Sequence, residues 1–132
     1  MEIELDTKHS EMFPYAIALA RLKGAEQVFV EPRIKGGNSS HWLVPDILGI
    51  RKAADKPYII VECEKSHGNI FDAGGKIDKW SKDDEVRHKA EFHFILRGKA
   101  WGRREQITKF LGSDAQYYSY DKLKSKLGPK ML

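Results

Sequence analysis

A chain of 132 residues suits one compact domain, 1–132, and is too short for two. Its composition, 41% hydrophobic and 32% charged, is that of an ordinary globular protein, which argues against a disordered chain. No run approaches the ~20 apolar residues of a membrane helix, and no signal peptide opens the chain. The single Cys63 has no internal disulfide partner. The expectation is therefore a cytoplasmic, reducing setting with no membrane association.

In chain order, Asp6 to Gly24 reads as a helix, with Asp6, Thr7 or Ser10 as cap and Gly24 as stop. Pro14 conflicts with that start, because a proline past the first turn removes a hydrogen bond, so the helix either bends or begins later. Glu11, Tyr15, Ala18 and Leu22 share one row at helical spacing, which would turn Glu11 inward. Gln27–Val30 reads as a short strand. Residues 35–42, Lys-Gly-Gly-Asn-Ser-Ser-His-Trp, have loop composition, and the hydroxyls of Ser39 and Ser40 are suited to phosphate oxygens. His41 is a further candidate for contact with nucleic acid, while Trp42 serves equally well as an anchor on the core.

Val44 to Ile50 and Tyr58 to Glu64 read as two apolar strands joined by a polar turn. Side chains alternate along a strand, so Ile60, Glu62 and Glu64 share one face, and pairing of the two strands would bring Asp46 close to both acids. Three carboxylates at one sheet edge repel and are costly to desolvate, and a divalent cation is the usual remedy. Ile70, Ala73, Ile77 and Trp80 fall on one face of a weakly periodic helix that carries Lys76 and Lys79. Lys82 to Lys89 is a charged turn, and Glu91 to Leu96 a buried strand whose His93 reads as a satisfied sheet histidine. Arg103–Leu111 follows as a short helix, then Gln116–Tyr120 as a strand and Asp121–Leu127 as a helix ended by Gly128-Pro129. Residues 1–96 hold 14 basic and 16 acidic side chains, whereas residues 97–132 hold 9 and 3. A basic end that includes Arg103 and Arg104, beside an acidic cluster, suits a polyanion held against a metal site.

Pro45-Asp46, fifteen residues, then Glu62-x-Glu64 at the end of an apolar strand resembles the PD-(D/E)XK nuclease superfamily. The order of helix, strand, Gly-Gly-Asn-Ser-Ser loop and Pro-Asp strand resembles its archaeal Holliday-junction resolvases most. The resemblance implies an α/β fold with the restriction endonuclease-like αβββαβ core, a mixed central sheet flanked by helices. It implies magnesium, with manganese as a substitute, on Asp46 and Glu62, completed by an acid of the first helix, for which Glu11 is the candidate. It implies DNA as substrate and no small-molecule cofactor, with a homodimer where two strands of a junction are cut. Lys76 falls where many of these nucleases place a polar group that touches substrate. The sequence departs at Glu64, where the family usually has Lys. Lys65 follows but points to the opposite face, so Lys76 or Lys79 is the remaining source of a cation. The expected activity is hydrolysis of DNA phosphodiesters with Asp46, Glu62, Glu64 and Lys76 in catalysis. The alternatives are a restriction-type endonuclease, a DNA-binding module that has lost catalysis, and, less supported, a metal-binding protein without nucleic acid.

Overall fold

The computed structural model describes residues 11–34, 44–52, 54–65, 88–105 and 115–131. The loop 35–42, the periodic segment 70–80, most of the charged turn 82–89 and most of the predicted helix 103–111 lie outside the described residues.

Helix α1 spans Phe13–Leu22 and starts later than its capping residues suggest. Pro14 sits in the first turn, where a helix has no use for its missing N–H. The helix stops in a Schellman arrangement. Gly24 takes φ 99°, its amide donates to the Arg21 carbonyl and the Ala25 amide to that of Ala20, each at 3.0 Å. The buried row is Met12, Ala16, Leu19 and Ala20. Glu11 lies off this row and is exposed.

Five strands follow in a mixed sheet of order β1-β2-β3-β4-β5. They are β1 (Gln27–Val30), β2 (Ile47–Ile50), β3 (Tyr58–Glu64), β4 (Ala90–Leu96) and β5 (Ala115–Ser119). The pairs β1/β2 and β2/β3 are antiparallel. The pairs β3/β4 and β4/β5 are parallel. β2 begins at Ile47 rather than Val44, since Pro45 has no N–H to give a ladder. Helix α2 is a separate short element, Lys99–Gly102, that follows the turn at Gly98 (φ 58°) and buries Ala100. Helix α3, Tyr120–Met131, carries on past Gly128 and Pro129. A proline in the last turn forfeits a single backbone bond, which Leu123 and Leu127 offset by burying upstream of it.

The sheet separates two apolar layers. On one face Ile47, Ile59, Val61, Cys63 and Ile95 pack under α1 and α3. The rings of Tyr15 and Tyr120 meet edge to face at 5.5 Å between those helices. On the other face Leu48, Ile60, Phe92, Phe94 and Leu96 pack with Ala100 and Trp101 of α2. This layering is the mixed, helix-flanked α/β sheet expected from the sequence.

A polar chain crosses the α1 face. His93, fully buried, lies 3.0 Å from Glu91 Oε1 through Nε2 and 3.0 Å from Tyr118 Oη through Nδ1. Glu91 also pairs with Arg51, whose Nη1 donates to the Lys23 carbonyl at 2.7 Å. Burial holds the imidazole below its usual pKa, with Glu91 pulling upward and Lys23 and Arg51 adding to the depression. Burial pushes the Glu91 carboxyl up, but hydrogen bonds from Arg51 and His93 outweigh it and leave the group below the usual value. The Tyr118 hydroxyl, pushed up to about 12 mainly by burial, stays protonated.

Both depressed groups bind fewer protons in the folded chain than in the unfolded one, so acid destabilises. Thermal melts should show a Tm that is flat near neutrality and falls below about pH 6.5, where the unfolded imidazole charges, and again below about pH 4.3 as Glu91 protonates. His93→Gln, which hydrogen-bonds without titrating, should flatten the first of these falls. Gly49 supplies a second test of the fold, because a Cβ there would stand 2.9 Å from Ala25 Cβ and 3.3 Å from Ala20 Cβ. Gly49→Ala should cost about 1–3 kcal/mol in urea unfolding by lifting α1 off β2.

Candidate functional site

The register of β2 on β3 pairs Ile47 with Val61. One step further along that ladder Asp46 falls opposite Glu62, on the face that also carries Glu64. The three carboxylates meet there, with one oxygen of each within 4.8 Å of the others. All three residues are nearly covered, at 9%, 6% and 6% exposure for Asp46, Glu62 and Glu64. The Cys63 amide donates to Asp46 Oδ2 at 2.7 Å. A side-chain oxygen thus takes the place of a backbone acceptor and fixes one carboxylate by its orientation. Glu64 is fixed through its main chain, its carbonyl accepting from the Arg97 amide at 2.9 Å.

The local potential is negative. Burial pushes the Cys63 thiol well above its usual pKa, and the charges of Asp46, Glu62 and Glu64 push it further. The thiol is therefore a packed, protonated group rather than a nucleophile. Three converging carboxylate oxygens are hard donors of the kind magnesium, manganese and calcium take, and they suit neither zinc nor copper, which favour nitrogen and sulfur. Among the described residues this is the one group of three or more acidic, histidine or cysteine side chains with such convergence.

Glu11 stands apart from the group. Its carboxylate accepts from Arg97 Nη1 at 3.3 Å, and that guanidinium lies 5.2 Å from the centre of the Tyr120 ring. The inward row expected for Glu11 fails because α1 buries the neighbouring row of Met12 and Ala16 instead. Arg103 is exposed just after α2. Arg104 donates to the Trp101 carbonyl at 3.0 Å and stacks 4.2 Å over the Trp101 ring. Ser39, Ser40, His41, Lys76 and Lys79 lie outside the described residues. The sequence reading passed over Trp101 and Lys122, whose ammonium sits 5.8 Å from the centre of the same ring. Their signal was a tryptophan set between Lys99 and Arg103-Arg104 in the basic third of the chain.

No protein-family model matches this chain, and no curated protein matches it by sequence. One solved structure resembles it in three dimensions, a repair endonuclease from Pyrococcus abyssi, at a TM-score of 0.53 and 10% sequence identity. The alignment covers 90% of this chain and 48% of the other, so this chain spans about half the length of that protein. The likeness establishes that the two share a fold. No helix among the described residues is long and apolar enough to cross a membrane.

If the three carboxylates converge as an ion site, millimolar magnesium or manganese should raise the Tm of the wild-type chain. The stabilisation should reach about 2.7 kcal/mol when the ion is at a hundred times its Kd. Asp46→Ala should abolish the rise. Both are read by differential scanning calorimetry with and without chelator.

Proposed function

We propose that this chain, as one nuclease-like domain over residues 1–132, is a metal-dependent endonuclease that hydrolyses DNA phosphodiester bonds, in the manner of a PD-(D/E)XK nuclease. The observation that carries the reading is the gathering of Asp46, Glu62 and Glu64 within 4.8 Å at one end of the sheet. A fold shared with a repair endonuclease supports it.

A phosphodiester resists hydrolysis because its negative charge repels nucleophiles. A magnesium ion held by Asp46 and Glu62, with manganese as a substitute, would draw charge from the phosphate oxygens and lower the pKa of a bound water. The hydrogen bond from Cys63 keeps Asp46 aimed at that ion, so its orientation is set before substrate arrives. Glu64 takes the proton of the attacking water as the oxygen bonds to phosphorus and the ester oxygen leaves. Lys76 stabilises the charge that develops on the phosphoryl group. Ser39, Ser40, His41, Lys79, Arg103 and Arg104 hold the DNA backbone. An enzyme of this kind that resolves junctions acts as a homodimer, with two sites related by symmetry. The setting is intracellular, where magnesium and DNA are both at hand.

A second reading rests on Glu64, which stands where the family usually has Lys: a DNA-binding module on the nuclease fold without cleavage. Plasmid nicking separates the two. The endonuclease nicks supercoiled DNA with magnesium or manganese and stops with EDTA, and Asp46→Ala lowers the rate more than about 100-fold. Cleavage that survives Asp46→Ala would place the chemistry elsewhere. Retained or raised activity in Glu64→Lys marks the position as the family's variable third residue, whereas loss in Glu64→Ala alone supports Glu64 as the base.

A further inference from the structure

Among the described strands β5 is the last of the sheet, and a groove of about 410 Å³ runs beside it between α1, α3 and Trp101. Its floor is leucine, and Leu22 stands 65% exposed at its margin. Among the described residues, Lys23, Lys122 and Lys126 line it and no carboxylate does. Trp101 forms the wall nearest Lys122, with Arg104 stacked over the same ring.

An apolar floor with an aromatic wall and a lysine rim asks for a ligand that carries both flat apolar groups and regular negative charge. A duplex presents only phosphates to such a surface and would leave Leu22 and the groove floor in water. An unpaired strand presents both, with phosphates for the ammonium groups and bases for the aromatic and apolar surface. A groove of this volume accommodates a few side-chain-sized groups rather than a helix.

The groove lies on the α1 and α3 side of the sheet, across from the acids, and reaches the sheet itself at Ser119. Ser119, which lines it, pairs in register with Leu96, and Leu96 pairs with Glu64. These residues share one face at the same end of three parallel strands. Ser119 therefore lies two strand spacings, about 10 Å, from Glu64. We propose that the β5 groove holds an unpaired strand of DNA, so that the substrate is DNA with a single-stranded segment. That this DNA is a substrate rests on the endonuclease reading; its binding in the groove does not.

The test is fluorescence anisotropy of a labelled oligo-thymidylate with the full chain in EDTA, beside a blunt duplex of equal length. Oligo-thymidylate should bind more tightly than the duplex. Lys126→Ala should lower the slope of log affinity against log salt by about 0.7, one lost phosphate contact on a single strand. Lys122→Glu with Lys126→Glu, both exposed positions, should weaken it about tenfold or more. Trp101→Ala should weaken oligo-thymidylate about fivefold or more while Trp101→Phe restores most of it. Equal losses for duplex and single strand, or an oligo-thymidylate affinity indifferent to the double lysine reversal, would overturn the groove. The lysine reversals decide the matter even where Trp101→Ala unfolds, as circular dichroism would reveal. A chain that never nicks DNA yet binds oligo-thymidylate through these residues sinks the endonuclease reading and leaves the groove standing.

Discussion

The site depends on how β2 and β3 part company. From Ile50 back to Ile47 the two strands run in ordinary antiparallel register. Pro45 then brings the chain in without an N–H to donate, and at Cys63 the amide that a further ladder step would satisfy turns to Asp46 Oδ2. One hydrogen bond therefore ends the ladder and plants a carboxylate in the opening. Because side chains alternate, the acids on either side of Cys63 are delivered to that opening together, while Cys63 stays in the core under α1. Mutual repulsion would spread such a cluster on a mobile loop. Here the strands beneath it are pinned by Ile47, Ile59 and Val61, all fully buried. The packing of α1 on β2 thus supports the crowding of charge, and at Gly49 it leaves no room for a Cβ.

The two faces of the sheet treat buried polar groups in opposite ways. Under α1, opposite charges and hydrogen-bonding partners are matched in sequence from Arg51 through Glu91 and His93 to Tyr118. Such a chain has its partners built in and specifies the core. On the other face like charges converge, and their fields add to the burial that raises the pKa of the Cys63 thiol across the sheet. His93, the obvious titratable residue of the central sheet, belongs to the matched chain.

What the sequence made legible follows the range of the interactions involved. Asp46, Glu62 and Glu64 could be read because strand periodicity is local and acids in an apolar run stand out. The strands β1 and β3 were legible in full for the same reason. The late start of α1 turned on Pro14, whose conflict with an Asp6 cap was visible but whose outcome was not. The inward orientation given to Glu11 failed because a row at helical spacing has a neighbour one residue away, and only the sheet beneath decides which is buried. The pairing of Arg51 with Glu91 bridges 40 residues, and that of Glu11 with Arg97 bridges 86. No local pattern reports contacts of that span. The parallel run of β4 on β3, which sets Leu96 beside Glu64, is of the same kind.

Glu64, compared with the Lys usual at that place in the nucleases the motif resembles, changes the electrostatics of the site in a definite direction. Two carboxylates and an ammonium carry a formal charge of −1, whereas Asp46, Glu62 and Glu64 carry −3. One divalent cation leaves the first arrangement positive and the second still negative, so the second binds cations more tightly and repels a bare phosphodiester more strongly. On the endonuclease reading the missing positive charge must come from elsewhere in the chain. The last 36 residues, with 9 basic and 3 acidic side chains, supply it. The register of β4 and β5 brings part of that segment to the same end of the sheet as the acids. Arg97 follows the last residue of β4, and its amide is bonded to Glu64 itself. A site that has exchanged its own cation for a third anion would thus rely on the surrounding basic surface to hold the phosphate, which joins the charge asymmetry of the sequence to the acidic cluster.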